Sequence, residues 1–140
     1  MTERLGPEGA IMIGRLDNVV LEARDPRALG QFYAELLGTP ITHDSDDWVD
    51  IGERPVQLSV QRAPGHEPPR WPDPASSMQY HLDIGVDDIE DAEPKVLALG
   101  ATRLPWSSDD EVAQGLRPAG SSGFRVYADP AGHPFCLCWD

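Results

Sequence analysis

Apolar residues recur along this chain with two periods, and the switches between them mark its elements. From Gln79 to Asp88, Tyr80, Leu82, Ile84 and Val86 alternate with His81, Asp83 and Gly85. A period of two predicts a strand with one buried face. The other face is unusual, because it carries an imidazole and a carboxylate two positions apart. Same-face neighbours on a strand stand roughly 7 Å apart, so His81 and Asp83 are expected to look into one space. An earlier strand reads Asp17 to Ala23. Asp25 and Pro26 then form a helix start, since the Asp side chain accepts orphan N–H bonds and Pro has none to lose. Leu29, Phe32, Tyr33, Leu36 and Leu37 repeat at helical spacing on one face, and Gly38 is the expected stop.

Three short extended pieces follow at Pro40–His43, Trp48–Ile51 and Val56–Gln61. The proline-rich run beyond them suits neither a helix nor a central strand and reads as a linker. The pattern then repeats. The strand ends in Asp87 and Asp88, a helix carries Ala92, Val96 and Leu99 on one face, and Gly100 stops it. Pro94 is expected to kink this helix or to push its start to about Glu93. A short strand covers Thr102–Leu104, and residues 105–123 read as a long loop of the kind that often serves as a lid. Strands at Phe124–Ala128 and Pro134–Trp139 close the chain around the turn Asp129-Pro130-Ala131-Gly132.

The repeat can be counted. Asn18 to Asp25 is seven positions and so is His81 to Asp88; Asp25 to Gly38 is thirteen and Asp88 to Gly100 is twelve. Pro55-Val56-Gln57-Leu58-Ser59 resembles Pro134-Phe135-Cys136-Leu137-Cys138. An α+β chain of two strand–helix–three-strand modules results. Its divisions are a lead-in at 1–14, a first module at 15–62, a linker at 63–77 and a second module at 78–140. Asn18, Gln57, His81 and Cys136 take equivalent places on the first and last strands, on the face turned away from the helices.

Composition narrows the function classes. The 140 residues suit one domain or two fused modules. The charge sum of 11 − 24 = −13 repels phosphate backbones and anionic membrane surfaces, so neither nucleic acid nor membrane is an expected partner. No run approaches the roughly 18 apolar residues of a membrane helix, and Met1–Gly14 lacks a secretory pattern. Cys136 and Cys138, two apart on a strand, are too far apart for easy disulfide geometry. They read as reduced, and a cytoplasmic location is expected.

The segments Tyr80-His81-Leu82-Asp83-Ile84, Leu97-Ala98-Leu99-Gly100-Ala101 and Asp129-Pro130-Ala131-Gly132-His133-Pro134-Phe135 carry a resemblance in their order and spacing. The chain is similar, over roughly residues 15–139, to the vicinal oxygen chelate superfamily and its glyoxalase-like domains, relatives of glyoxalases, bleomycin-resistance proteins and extradiol dioxygenases. The resemblance implies two tandem βαβββ modules forming a curled mixed sheet around a central cleft, and a homodimer. In metal-using members a divalent ion is held by His, Glu or Gln from the first and last strands. Carried over, those places are Asn18, Gln57, His81 and Cys136. Asn18 stands where a histidine is usual, and Cys136 replaces the terminal carboxylate. Hard cations want anionic oxygen, which these positions lack, and a His plus a thiolate is two ligands short of a zinc site. No cofactor is therefore expected and no metal ligand is assigned, with a divalent metal as the less favoured option.

His81 and Asp83 are the catalytic candidates. Asp83 would favour the charged imidazole, fit for general acid–base work or for anchoring an anion; the alternative is a hydrogen-bonded interior histidine. Cys136 is either an inert buried thiol or a nucleophile. Arg125 and Tyr127 alternate with Phe124 and Val126 and are expected to face the cleft, where Arg125 would bind a carboxylate or phosphate; a surface salt bridge is the other reading. Trp48 and Trp106 sit on or beside loops and either line the pocket or pack in the core. Asn18 and Gln57 complete the ligand-binding candidates. His133 reads as structural or solvated, and His43 and His66 join no constellation. Three functions are open: a binder like the drug-sequestering resistance proteins, a metal-independent lyase or isomerase, and a metal-dependent lyase, isomerase or dioxygenase. The first two are preferred, with a small organic molecule as ligand or substrate.

Overall fold

A computed structural model describes residues 4–5 and 7–140. Residues 1–3 and 6 of the expected lead-in lie outside the described residues. Strands β1 (Arg4–Leu5) and β2 (Ile11–Met12) pair as a small antiparallel ribbon. Then come β3 (Asn18–Ala23), α1 (Pro26–Leu37), β4 (Ile41–Asp44), β5 (Trp48–Ile51) and β6 (Gln57–Arg62). Asp25 caps α1 by accepting the Ala28 N–H at 3.2 Å, and Gly38 ends it with φ of 61°. The sheet order is β3-β6-β5-β4. Its only parallel pair, among the described residues, is β3 with β6, which sets Asn18 opposite Gln57 and needs α1 as its crossover.

The second module repeats this plan with β7 (Leu82–Gly85), α2 (Ile89–Ala98), β8 (Thr102–Ser107), α3 (Ser108–Ala113), β9 (Gly123–Ala128) and β10 (Pro134–Trp139). Its order is β7-β10-β9-β8, and β7 runs parallel to β10 with Asp83 opposite Cys136. The architecture is α+β, with two four-stranded mixed sheets built from two βαβββ modules. One core serves both. Leu29, Phe32 and Tyr33 of α1 are buried with Val49, Ile51 and Val60 of the first sheet and with Tyr127, Phe135 and Leu137 of the second. The rings of Phe32 and Tyr33 meet edge-on at 4.9 Å and lie 6.0 and 6.3 Å from Phe135. Gly30 sets how closely α1 lies on its sheet: a Cβ there would stand 2.6 Å from Val49 Cγ1, nearer than carbon atoms pack.

Three elements depart from the sequence reading. Helix α2 begins at Ile89, capped by Asp88, and runs through Pro94. Glu90 and Pro94 are both exposed, so the carbonyl that Pro94 leaves without an N–H can turn to water. Strand β7 is shorter than the alternation suggests. Gln79 has φ of 59°, which breaks the extended run, and Tyr80 is 90% exposed instead of buried. The strand after α2 continues to Ser107 and a helical turn follows it, so residues 105–123 are not one loop. Pro105 is tolerated because β8 is an edge strand, and its register against β9 shifts between Arg103 and Ser107.

Candidate functional site

On the face of the first sheet away from α1, period-two geometry gathers a polar network. Asn18 Nδ2 donates to Ser59 Oγ at 3.1 Å, and Gln57 Nε2 donates to the same oxygen at 3.2 Å. Ser59 Oγ in turn donates to Asp50 Oδ1 at 2.6 Å, and the Trp48 indole donates to that oxygen at 2.6 Å. Burial opposes ionisation of Asp50. The hydrogen bonds from Ser59 and Trp48, the nearby His43 and a hydrogen bond from Gln57 outweigh it and hold the carboxyl below its usual range. Asn18, Gln57 and Trp48 are thus brought together in one network. Ser59 and Asp50, on which all three converge, were missed. Their signal was parity: Ser59 shares a face with Gln57, and Asp50 shares one with Trp48.

In the second module His81 Nε2 lies 3.1 Å from Asp83 Oδ1. With Cys136 Sγ, these donor atoms all fall within 4.8 Å of one another. The parallel register that sets Asp83 opposite Cys136 makes the cluster, together with His81 just before the strand. Cys136 is buried. Burial first, and then the Asp83 charge, push its thiol up to about 12; the same two causes raise Cys138. A carboxylate beside a buried thiol favours the neutral form, which is a poor nucleophile.

The two modules meet at a cavity of about 450 Å³ between β3 and residues 80–82. Val20, Leu21, Leu82 and Pro134 form apolar wall, while Asn18, Tyr80 and His81 supply polar groups. Asn18 and His81, from different modules, therefore border one space. Gln57, Cys136, Trp48 and Trp106 are not among its lining residues.

Arg125 and Tyr127 do not face the cavity as expected but α2, and Arg125 takes its other reading, a salt bridge. Arg125 donates to Glu90 at 2.6 Å and to Glu93 at 3.1 Å, and the Tyr127 hydroxyl donates to Glu93 at 2.6 Å. Tyr127 is opposite Phe135 and Arg125 opposite Leu137, both core residues, so Phe124 and Val126 take the face of the cysteines. Burial works against the Glu93 charge, but Tyr127, Arg125 and Arg103 hold its carboxyl below the usual range. That anion inside the helix–sheet contact is what lets two polar tips point there.

The four inherited positions do not fit a hard divalent cation. None carries a carboxylate, the amide groups of Asn18 and Gln57 donate to Ser59, and the Cys136 thiol is held neutral.

Two βαβββ modules around a shared core, with a polar cluster on each first-and-last strand pair, define a protein of the vicinal oxygen chelate type. Residues 18–138 match the glyoxalase-like domain family, and the chain belongs to it. Among solved structures it is similar to a glyoxalase/bleomycin resistance protein/dioxygenase family enzyme from Burkholderia phytofirmans PsJN, at 16% identity and TM-score 0.64, covering 90% of this chain and 98% of that one. A glyoxalase-related enzyme from Fulvimarina pelagi follows at 15% identity and TM-score 0.63, covering 91% and 89%. A fosfomycin resistance protein from Mesorhizobium loti matches at 14% identity and TM-score 0.62, covering 92% and 94%. At these identities the likeness is one of fold. A search of curated proteins found no match. No helix among the described residues is long and apolar enough to cross a membrane.

Proposed function

We propose that this glyoxalase-like protein binds a small organic molecule in the cavity between its modules without a divalent metal, as a sequestering protein or a metal-independent lyase or isomerase. The observation that carries the reading is the cavity of about 450 Å³ bordered by both Asn18 and His81. Its size falls in the range of small-molecule sites, and apolar walls with few polar groups are the usual composition of such sites. His81, with Asp83 at 3.1 Å, is the polar anchor and the first candidate for proton transfer. The reading includes a cytoplasmic homodimer; it rests on the free cysteines Cys136 and Cys138 and on the family resemblance. The test is a small-molecule screen followed by NMR of the bound state. Hits are expected to shift Tyr80 and His81 resonances, to weaken at least about tenfold in His81→Ala with the fold intact, and to be indifferent to chelators. Binding or turnover that disappears on chelation overturns it.

The second reading is a metal-dependent lyase, isomerase or dioxygenase. It is favoured by one observation, the His81, Asp83 and Cys136 donors within 4.8 Å. Such a set suits a borderline-soft ion such as Zn²⁺ better than Mg²⁺. Cobalt substitution tests it: a thiolate-to-cobalt absorption band that is lost in Cys136→Ser supports this reading over the first.

A further inference from the structure

A second histidine borders the cavity. His133 borders it together with His81 and Tyr33, and its surroundings are those of an oriented base. The Asp129 side chain is 0% exposed. Its carboxylate accepts the Tyr33 hydroxyl at 2.7 Å, the backbone N–H groups of Ala131 and His133 at 2.9 and 3.0 Å, and His133 Nδ1 at 2.8 Å. An ionised carboxylate can only accept, so the proton of the ring sits on Nδ1 and the tautomer is set. In the neutral ring Nε2 then carries the lone pair. The ring is also braced from outside. His66 packs against it with centroids 4.8 Å apart, and His66 Nε2 is tied to the Ala131 carbonyl at 3.3 Å. The backbone bonds and Tyr33 suffice to order the turn. The Asp129–His133 pair adds a fixed imidazole, 19% exposed, at the edge of a ligand-sized space.

We propose that His133, oriented by Asp129, is the proton acceptor of this cavity, and that the ligand is an apolar molecule bearing an acidic hydroxyl, a phenol or an enol. The proposal rests on the reading of the cavity as a ligand site. In the resting complex the ligand O–H donates to Nε2. In a reactive ligand the O–H bond breaks, its electron pair stays on oxygen, and the proton joins Nε2. The imidazolium so formed is balanced by Asp129, and the proton returns to the same oxygen, or to another ligand atom, before release. No co-reactant is needed. His133 is a catalytic residue in this scheme and Asp129 a positioning one.

The test uses two probes of nearly equal shape, 2-naphthol and 2-methoxynaphthalene, which lacks the O–H. With the full chain, 2-naphthol is expected to bind at least about tenfold more tightly than the ether, and to move the ¹⁵N resonance of His133 Nε2. His133→Phe, which keeps a flat ring but has no acceptor, is expected to bring the two affinities within about twofold. The wild-type ¹⁵N signal decides the matter without the variant, should His133→Phe fail to fold. Equal affinities, or a His133 Nε2 resonance unmoved at saturation, overturn the proposal while shifts at Tyr80 and His81 leave the cavity reading standing. If neither probe moves Tyr80, His81 or His133, both fall.

Discussion

Alkylation of Cys136 separates nucleophilic chemistry at the His81–Asp83–Cys136 cluster from proton transfer or binding there. The variant Cys138→Ser leaves a single thiol to follow. With the Cys136 thiol pushed up to about 12, roughly one molecule in ten thousand is a thiolate at about pH 8, against about one in four for an unperturbed cysteine. The reaction with iodoacetamide should therefore run about three orders of magnitude slower than with a free thiol. Burial of Cys136, only 7% exposed, slows it further. Intact-mass spectrometry over a pH series reads the rate directly. It should climb about tenfold per pH unit without a plateau between about pH 7 and pH 10, because the titration lies above that window. Asp83→Asn removes the second cause of the shift. Losing a neighbouring anion stabilises the thiolate, so the variant should react several-fold faster at every pH. It should still fall well short of a free thiol, because burial is the larger cause. A plateau near neutral pH, or a rate within tenfold of a free thiol, refutes the reasoning and makes His81 the group that generates a thiolate.

Two further outcomes follow from two hydrogen-bonded carboxylates. Tyr33→Phe removes one donor from Asp129 and should cost about 1.5–3 kcal/mol of stability, the range for a hydrogen bond to a charged group; a urea midpoint equivalent to less than about 0.5 kcal/mol refutes it. Asp50 has its folded pKa depressed, so its contribution is present above the unfolded value and is lost as pH falls through the folded one. Wild type should therefore lose stability below about pH 4 in a way that Asp50→Asn does not share, and parallel urea midpoints of the two proteins from about pH 2 to pH 6 refute this.

What could be read from sequence depended on whether the rule was local. Asp25, Pro26 and Gly38 bound α1 through capping chemistry confined to a few residues, and the observed helix is the one they mark. The internal repeat also worked at long range. It placed Asn18 level with Gln57, and the parallel register of β3 and β6 realises that pairing; the counterpart is two residues out, with Asp83 and not His81 opposite Cys136. The facing of β9 was not legible, because alternation gives parity without sign. Phe124 and Val126 look as suited to a core as Tyr127 does, and the deciding partner, Glu93, lies 34 residues before Tyr127. The same holds for His133. Its turn is obvious from Asp129, Pro130 and Gly132, but the hydroxyl that Asp129 accepts comes from Tyr33, 96 positions away in the other module.

These placements bear on how well the inherited positions suit a chelate. A chelate needs its donors free and convergent. Here Asn18 and Gln57 donate to Ser59, which passes the interaction on to Asp50 and stops there. Cys136 is buried opposite Asp83, and burial first and the Asp83 charge second oppose the thiolate a metal requires. The polar residues left bordering the cavity include two histidines, and each ring has its own carboxylate: His81 with Asp83 at 3.1 Å, and His133 with Asp129 at 2.8 Å. An imidazole backed by a carboxylate is built to hold or pass a proton. One of the two carboxylates is exposed and the other is sealed in the core, so the two rings face the same space with different partners.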